Sequence, residues 1–435
     1  MRSTLFYIPH EIGGYPLFGW GLLLTGLLVS FFGWALWQLS TKRPMQEVLS
    51  GIPFLLITAA VVTFVLPNVE TVWPAADGGP GVPIGLPIRG YGVMVLLGLL
   101  CGIGISILRG RQLGIQADLV IGLGFWMMLG GVMGARVFYV VQKWDEFGGD
   151  LLSIFKVTEG GLVIYGGVIG GLVAGGIFCY RNKLNVAATA DLVAPGFLIG
   201  LSLGRIGCLL HGCCFGGVCH SQLPTITFPH GSGPYQAQIE SGELLGLDLT
   251  HAKELPVTVD SVVADSLADQ ADIRAGDQIV AKTIQSILPD RKDDPTQPPK
   301  MIAEIEWTRS DGETSDAHSR RIFLPENLPA RSLPVHPSQL YASFNALLLC
   351  LLVWFLQPLP KRDGMTFLLA ILLYAISRFL LEGVRSDEAG QFGTPFSIAQ
   401  IVAIISAAAA TIGLVALRKL PAKRAWKWAK APNAT

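Results

Sequence analysis

Long apolar runs alternate with short polar connections along most of the chain. A helix needs roughly 20 apolar residues to cross the hydrocarbon core of a bilayer, and nine runs approach that length. They cover residues 17–39, 47–66, 89–108, 118–142, 161–180, 189–209, 341–357, 365–383 and 396–417. The pattern predicts an all-α polytopic membrane protein with about nine transmembrane helices, whose short seventh helix extends outward or tilts.

Basic residues follow every odd-numbered run, as expected of cytoplasmic loops. They are Lys42 with Arg43, Arg109 with Arg111, Arg181 with Lys183, Lys361 with Arg362, and the basic tail at 419–435. The positive-inside rule therefore predicts a multi-pass protein of a bacterial cytoplasmic (inner) membrane. Its N-terminus is expected outside and its C-terminus in the cytoplasm.

Composition points to a bilayer as the main solvent. The 435 residues are 51% hydrophobic and only 15% charged, and the mean hydropathy is +0.50. This balance is too apolar for a soluble globular protein of this size. Lys and Arg together number 32, as do Asp and Glu, so no excess of positive charge suggests a nucleic-acid partner.

The connection at 216–335 is too long for a structureless loop and predicts a folded insertion. Strand, turn and helix patterns follow one another there, at 256–260, 261–271, 275–280 and 303–308. Residues of about 240–325 resemble a PDZ domain. That resemblance implies capture of an extended peptide at a sheet edge, and a small β-rich spacer without a ligand is the alternative.

Ionisable side chains inside or at the ends of apolar runs are costly, so each is a functional candidate. Arg205 lies near the outer end of the sixth run, where a guanidinium can fork two hydrogen bonds onto a phosphate. Snorkelling to lipid headgroups is the alternative. A second polar group, at the start of the seventh run, contains His336, Gln339 and Tyr341.

A third cluster lies on one face of the eighth run, where Arg378, Glu382 and Arg385 follow helical spacing. Pairing of Glu382 with Arg378 is expected to leave Arg385 free to hold an anion, and a purely structural ion-pair network is the alternative. The fourth cluster contains Tyr91 at the start of the third run and Arg136 on the fourth.

These motifs resemble the bacterial prolipoprotein diacylglyceryl transferase family. The resemblance rests on Gly204-Arg205-Ile206-Gly207 with Gly216, on His336-Pro337-Ser338-Gln339-Leu340-Tyr341, and on Arg378, Glu382 and Arg385. It implies transfer of the diacylglyceryl group of phosphatidylglycerol to the lipobox cysteine thiol of a prolipoprotein. A thioether and glycerol phosphate are the products, and no cofactor is expected.

The resemblance also implies partners and site residues. The expected partners are phosphatidylglycerol, the signal peptides of prolipoproteins, membrane lipid and a peptide ligand of the PDZ-like unit. The implied substrate-binding residues are Arg205, Arg378, Glu382, Arg385, Tyr91, Arg136, Gly216, Gln339 and Tyr341.

Domain limits follow from the same resemblance. Spans three to nine supply a seven-helix membrane core at 85–215 and 336–418. The additions are a transmembrane hairpin at 1–70, the insertion at 216–335 and a basic cytoplasmic tail at 419–435.

The sequence departs from the family pattern where a catalytic base is expected. Tyr165 stands in place of an essential histidine, and a phenol with a pKa of about 10 is a poor base at neutral pH. Two asparagines, a glutamate and a commonly acidic residue are replaced by Cys208, His211, Cys213 and Ala342. The candidates for the catalytic base are therefore His336, His211 and Tyr165.

A rival function starts from crowded cysteines and histidines. Thiols and imidazoles suit zinc or copper, so an extracytoplasmic metal-binding or thiol-redox membrane protein is one alternative. A catalytically inactive lipid-binding relative is another, and a disulfide such as Cys213 with Cys219 is a structural explanation. The residues of this alternative site are Cys208, His211, Cys213, Cys214, Cys219 and His220.

Overall fold

The chain forms two compact units of discontinuous sequence. One contains residues 1–90 and 229–330, and the other contains residues 91–228 and 331–435. The computed structural model describes residues 4–41, 45–73, 82–147, 154, 161–219, 224–249, 255–287, 300–309, 318–383, 385 and 393–426.

Nine helices among the described residues are long and apolar enough to cross a membrane, which confirms the predicted polytopic fold. The second of these spans, Gly51–Val69, passes through a π-helical turn at Val61–Val65. The described α-helices in chain order are α1 Leu22–Ser40, α2 Met45–Ala60, α3 Leu66–Val69, α4 Gly90–Gln112, α5 Ala117–Gln142, α6 Trp144–Phe147, α7 Ile164–Arg181, α8 Val186–His211, α9 Gly233–Ser241, α10 Leu267–Gln270, α11 Ser338–Leu356, α12 Met365–Glu382 and α13 Ile398–Lys419.

The seventh span begins three residues earlier than its apolar run, at Ser338. The structure does not describe Lys42, Arg43, His220 or the end of the basic tail, so the predictions made for them lie outside the described residues.

Within the described part of the chain, every named strand belongs to the first unit. Those of the insertion occur where alternation predicts them. The strands are β1 Thr4–Pro9, β2 Glu11–Ile12, β3 Tyr15–Pro16, β4 Thr71–Trp73, β5 Val82–Arg89, β6 Leu247–Asp248, β7 Val257–Thr258, β8 Ser261–Val262, β9 Gln278–Ile287, β10 Lys300–Thr308 and β11 His318–Phe323. The larger insertion sheet has the order β11-β10-β9-β7. Strand β10 buries alternate residues, including Ala303, Ile305 and Trp307, as a half-buried strand should.

Small residues allow α5 and α7 to pack closely in the second unit. A Cβ atom added at Gly166 or Gly170 would collide with the carbonyl oxygens of Gly134 and Gly130. The glycine-rich face of α7 therefore serves close helix packing.

Helices α8, α11 and α12 form the core of the second unit. Its buried side chains include Leu198, Val353 and Ala370. Above this layer, the Ser202 hydroxyl donates a hydrogen bond to the carbonyl of Ser343 at 2.9 Å, which fastens α8 to α11. The next turn of α8 is thereby held facing α11 and α12.

Asp191 fixes the start of α12 against the start of α8. Its buried carboxylate accepts backbone N–H groups from Gly364 at 2.7 Å and Phe367 at 2.8 Å. The Gln357 side chain, at the end of α11, donates to the Asp191 carbonyl at 2.6 Å. The start of α8, the start of α12 and the end of α11 therefore share one side of the unit.

Basic residues cluster on that same side. Arg109, in the last turn of α4, donates to the carbonyl of Trp354 and lies 3.7 Å from the centre of its ring. Arg362, between α11 and α12, donates to the carbonyl of Leu420 just beyond α13 at 2.7 Å. The opposite side receives the end of α8, the start of α11 and the end of α12.

Candidate functional site

Two arginines meet at one small cavity between α8, α11 and α12. Arg205 of α8 and Arg378 of α12 line it together with Ala342, Asn345 and Tyr374. The cavity lies within helices assigned to the membrane, where the effective dielectric is low and cations bind anions strongly. Its two guanidinium groups are of the kind that binds phosphate.

Glu382, the last residue of α12, holds two of the arginines. Its Oε2 atom lies 2.7 Å from Arg378 Nη1 and 3.4 Å from Arg385 Nη1. The Ser397 hydroxyl donates to Oε1 at 3.1 Å. The expectation that Arg385 stays free of Glu382 is wrong, because one carboxylate oxygen draws both guanidinium groups. With Arg205, three cations of the described residues meet one described carboxylate, so positive charge is in excess among them.

Gly216 joins the three motifs that carry the family resemblance. It forms an antiparallel β-bridge with Arg385, and its N–H group donates to the carbonyl of His336 at 3.1 Å. The His336 N–H group donates to the carbonyl of Gly217 at 3.1 Å. The segment after the Gly-Arg motif, the segment before α11 and the end of α12 therefore come together.

Side chains from the start of α11 hold the loop that follows α8. The Ser338 hydroxyl donates to the carbonyl of Cys214 at 2.7 Å, and the Gln339 amide donates to the carbonyl of Cys213 at 2.8 Å. Gly212 ends α8 in the left-handed region with a φ of 83°. Cys214 adopts a φ of 56°, which is uncommon for a residue with a side chain. The loop is therefore firmly positioned.

Three thiols meet in this loop. The sulfur atoms of Cys208, Cys213 and Cys214 all lie within 4.8 Å of one another and could hold a metal ion. Hydrogen bonds from the Cys208 and Cys213 thiols, with the positive charges of Arg205 and Arg385, hold the pKa of the Cys214 thiol well below its usual range. Hydrogen bonds with the Cys208 and Cys214 thiols raise the pKa of Cys213.

The other members of the predicted metal set lie elsewhere. Cys219 is buried, and its N–H group donates to the carbonyl of Pro334 at 2.9 Å. His211 is exposed, with its ring centre 6.2 Å from that of Tyr91. All seven cysteines lie in the described ranges and none forms a disulfide, so the suggested bond between Cys213 and Cys219 is not formed.

Two buried polar atoms at the start of α11 have no hydrogen-bond partner among the described residues. They are Nδ1 of His336 and Oε1 of Gln339. Buried polar atoms normally find partners, so these atoms are available to a bound molecule. Tyr341, on the first turn of α11, donates its hydroxyl to the carbonyl of Pro224 at 3.4 Å.

Arg136 and Tyr165 lie around the segment that leads into α7. Arg136 donates through Nε to the carbonyl of Ile154 at 2.8 Å and through Nη1 to the carbonyl of Gly161 at 3.2 Å. Tyr165 belongs to the first turn of α7 and is 41% exposed. Arg136 thus positions this segment, and substrate contacts by either residue stay a prediction.

Comparison with known proteins decides the family. The family model described as prolipoprotein diacylglyceryl transferase matches residues 81–416. The chain belongs to this family. A phosphatidylglycerol–prolipoprotein diacylglyceryl transferase of Rhodopirellula baltica is 32% identical over 454 aligned residues, which cover 95% of this chain and 89% of the relative.

Other relatives of the same name are more distant or match a shorter part. The protein of Thermosynechococcus vestitus is 24% identical, over 79% of this chain and 94% of its own length. A second such transferase, from Clostridium perfringens, is 37% identical over 35% of this chain and 59% of its own length. These bacterial relatives and the nine apolar helices confirm a membrane-bound member of the transferase family. They give no support to a metal-binding or redox protein of another class.

Sequence reasoning about the prolipoprotein diacylglyceryl transferase site missed three polar residues. Tyr374 lies one turn before Arg378, so helical spacing could have found it. Asn345 lies within the apolar run of α11, and its cavity position depends on how α11 faces α8. Ser397 is recognisable as a helix N-cap, but its bond to Glu382 depends on the packing of α13 against α12.

Proposed function

We propose that the chain transfers the diacylglyceryl group of phosphatidylglycerol to the lipobox cysteine thiol of a prolipoprotein. A thioether forms and glycerol phosphate leaves. Beyond family membership, the observation that carries this proposal is the cavity lined by Arg205 and Arg378. The departing phosphate gains negative charge, and cations fixed in a low-dielectric site stabilise that charge in the transition state.

The arginines divide the work of binding the phosphate. Arg205 contacts it from α8, and Arg385 contacts it from beyond the end of α12. Glu382 orients Arg378 and Arg385 through its ion pairs without neutralising all three cations. Ala342 lines the same cavity in place of a carboxylate that would compete with the phosphate.

His336 is the best placed of the three candidate bases. Its Nδ1 atom is buried without a partner among the described side chains, and its backbone is tied to Gly216, which bridges to Arg385. His211 is exposed, and the phenol of Tyr165 has too high an ordinary pKa to accept a thiol proton readily. We assign the thiol proton to His336.

The two sides of the second unit support a proposed orientation in the membrane. Arg109 and Arg362 lie on the side that holds the starts of α8 and α12, and basic residues favour the cytoplasm. The cysteine loop, His336 and Arg385 lie on the other side. We propose that this side faces outward, where secreted precursors emerge. The basic residues after every odd-numbered run support an N-terminus outside and a C-terminus in the cytoplasm.

The insertion is proposed to bind an extended peptide. Strand β11 pairs with β10 on one side only within the described sheet, and Ile322 on β11 is 47% exposed. An unpaired edge can accept another strand through its backbone, and Ile322 offers an apolar contact between the exposed Arg320 and Arg321 and the buried Phe323. A precursor peptide bound there would be tethered to the transferase through the chain itself. Substitution of Ile322 by Lys should raise KM for the precursor and leave kcat unchanged.

Rescue of a bacterium depleted of its own transferase tests the proposed function. The full chain should restore growth and diacylglyceryl modification of a reporter lipoprotein. Arg205→Ala, present in the membrane at the same level, should restore neither. Absence of rescue by a membrane-inserted wild-type chain would count against transferase activity.

A further inference from the structure

The cysteine loop contains three ligands of one kind at one place. Cys208 lies on the last turn of α8, and Cys213 and Cys214 follow the Gly212 helix end. Their sulfur atoms lie within 4.8 Å of one another. Tetrahedral zinc with Zn–S distances of about 2.3 Å needs sulfur separations of about 3.8 Å. Small side-chain rotations would therefore bring all three sulfurs onto one ion.

The backbone of this loop is held in place without an ion. Cys213 donates its N–H group to the carbonyl of Cys208 at 3.1 Å. Gln339 and Ser338 clamp the carbonyls of Cys213 and Cys214 from α11. A ligand set that is already assembled loses little conformational entropy on binding. The clamps therefore favour binding at this loop.

The number of ligands is informative. Structural zinc sites are closed by four protein ligands, whereas catalytic sites use three and leave one position open. Among the described residues, His211 and Cys219 do not join the three thiols. Three thiolates around a divalent cation leave one negative charge, and Arg205 and Arg385 place positive charge beside the loop. An open, charge-compensated site results.

We propose that Cys208, Cys213 and Cys214 bind a thiophilic divalent cation of the zinc class, whose open position receives the cysteine thiol of the prolipoprotein. This inference rests on the proposed function. The bound ion would compensate for the tyrosine, Tyr165, that replaces the family's histidine. A thiol that coordinates zinc is deprotonated outright, so a strong base at that position is not needed. The substrate sulfur is then held as a thiolate beside the arginine cavity.

The step balances with the products of the transfer. The S–H proton of the substrate cysteine passes to His336 as the thiol enters the open position. The sulfur electron pair forms a bond to the terminal glyceryl carbon of phosphatidylglycerol. The bond between that carbon and the phosphate oxygen breaks, and its electron pair leaves on glycerol phosphate. Neither oxidation nor reduction occurs.

Zinc content of the purified full chain is the first test. The protein is prepared in detergent with reductant and without chelator, and zinc per chain is measured by elemental analysis. Wild type should hold about one ion, and Cys208→Ser, Cys213→Ser and Cys214→Ser should each fall below about one tenth. The matched control is Cys219→Ala, a cysteine of the same loop outside the group, which should keep its zinc.

Cobalt provides a readout of the substrate thiol. Wild type loaded with Co²⁺ should show a thiolate-to-cobalt charge-transfer band that grows when a lipobox peptide is added. A peptide with serine in place of cysteine should leave the band unchanged. Because this test uses the wild-type chain, its result does not depend on whether the cysteine variants fold. An unchanged band with the cysteine peptide would overturn the proposed role of the ion.

The outcomes separate this inference from the proposed function. Transfer by wild type that persists after chelation, with no zinc in the protein, would overturn the inference while the transferase function stands. If chelation removes the zinc and abolishes transfer, and if added zinc restores transfer, the result would support both the inference and the proposed function. Equal zinc in wild type and the three cysteine variants, or a disulfide within the group in freshly isolated membranes, would also overturn the inference.

Discussion

The two ends of α12 each meet a buried carboxylate, but the partners differ. At the start of the helix, Asp191 accepts N–H groups from Gly364 and Phe367. At its end, Glu382 meets the guanidinium groups of Arg378 and Arg385. The first carboxylate is satisfied by backbone groups that every helix start offers. The second is satisfied by arginine side chains. One carboxylate needs only one arginine to balance its charge, so the second arginine indicates a role beyond pairing.

The difference separates structural from functional charge. The Asp191 end stabilises helix packing through backbone N–H groups. The Glu382 end keeps an excess of positive charge once Arg205 is counted, and such a group is costly within a membrane unless an anion completes it. The same element therefore carries a structural carboxylate at one end and a binding site at the other.

Arg205→Ala should have the largest effect on activity. It removes one cation from the cavity, and loss of one preorganised electrostatic contact lowers turnover by about 100- to 1000-fold. Folding should be retained, since the side chain contributes to the cavity rather than to the core. Transfer rates and thermal unfolding in detergent measure the two effects. Arg109→Ala, on the basic side, is the matched control and should keep its activity per folded molecule.

Glu382→Ala should reduce both activity and stability. Removal of one partner of a buried ion pair costs about 3–5 kcal/mol because charge is left uncompensated, and Arg378 and Arg385 would lose their common anchor. Reversible unfolding and transfer assays should both show a loss. Full activity with an unchanged unfolding midpoint would mean that the ion pairs do not position the arginines.

Asp191→Ala should affect stability alone. Two buried backbone N–H groups lose their acceptor, which costs about 1–3 kcal/mol each. The unfolding midpoint should fall, while the transfer rate per folded molecule stays close to that of wild type. A loss of turnover in fully folded protein would show that the two ends of α12 are functionally coupled.

Tyr165→His should have the smallest effect, a rise of a few-fold in transfer rate. An imidazole of ordinary pKa about 6.5 accepts a thiol proton more readily than a phenol. Initial rates at neutral pH, with Tyr165→Phe as the control, measure the change. A fall in rate for the histidine variant would indicate that the site has been rebuilt around tyrosine.

Most of the fold could be predicted because the bilayer imposes a simple rule. A spanning helix needs a long apolar run, and the nine helices begin and end within a few residues of the nine runs. The strands of the insertion followed from alternation, as at β10, where alternate residues are buried. The distribution of basic residues predicts an orientation, which remains a proposal.

The candidate site was less accessible from sequence, because its geometry depends on tertiary packing. Spacing placed Arg378, Glu382 and Arg385 on one helix face, but could not show that Arg385 also contacts Glu382. The motif at Gly216 gave no indication of its bridge to Arg385. The crowded cysteines suggested a metal set of five or more residues, and the loop conformation brings three of them together.

The central claim is tested most directly by a transfer assay with purified protein. The full chain in detergent is mixed with phosphatidylglycerol and a lipobox peptide, and the peptide mass is followed. A diacylglyceryl adduct should appear with the cysteine peptide and be absent with a serine peptide or with Arg205→Ala. No adduct from folded wild type, while a known transferase modifies the same peptide in the same mixture, would contradict the account.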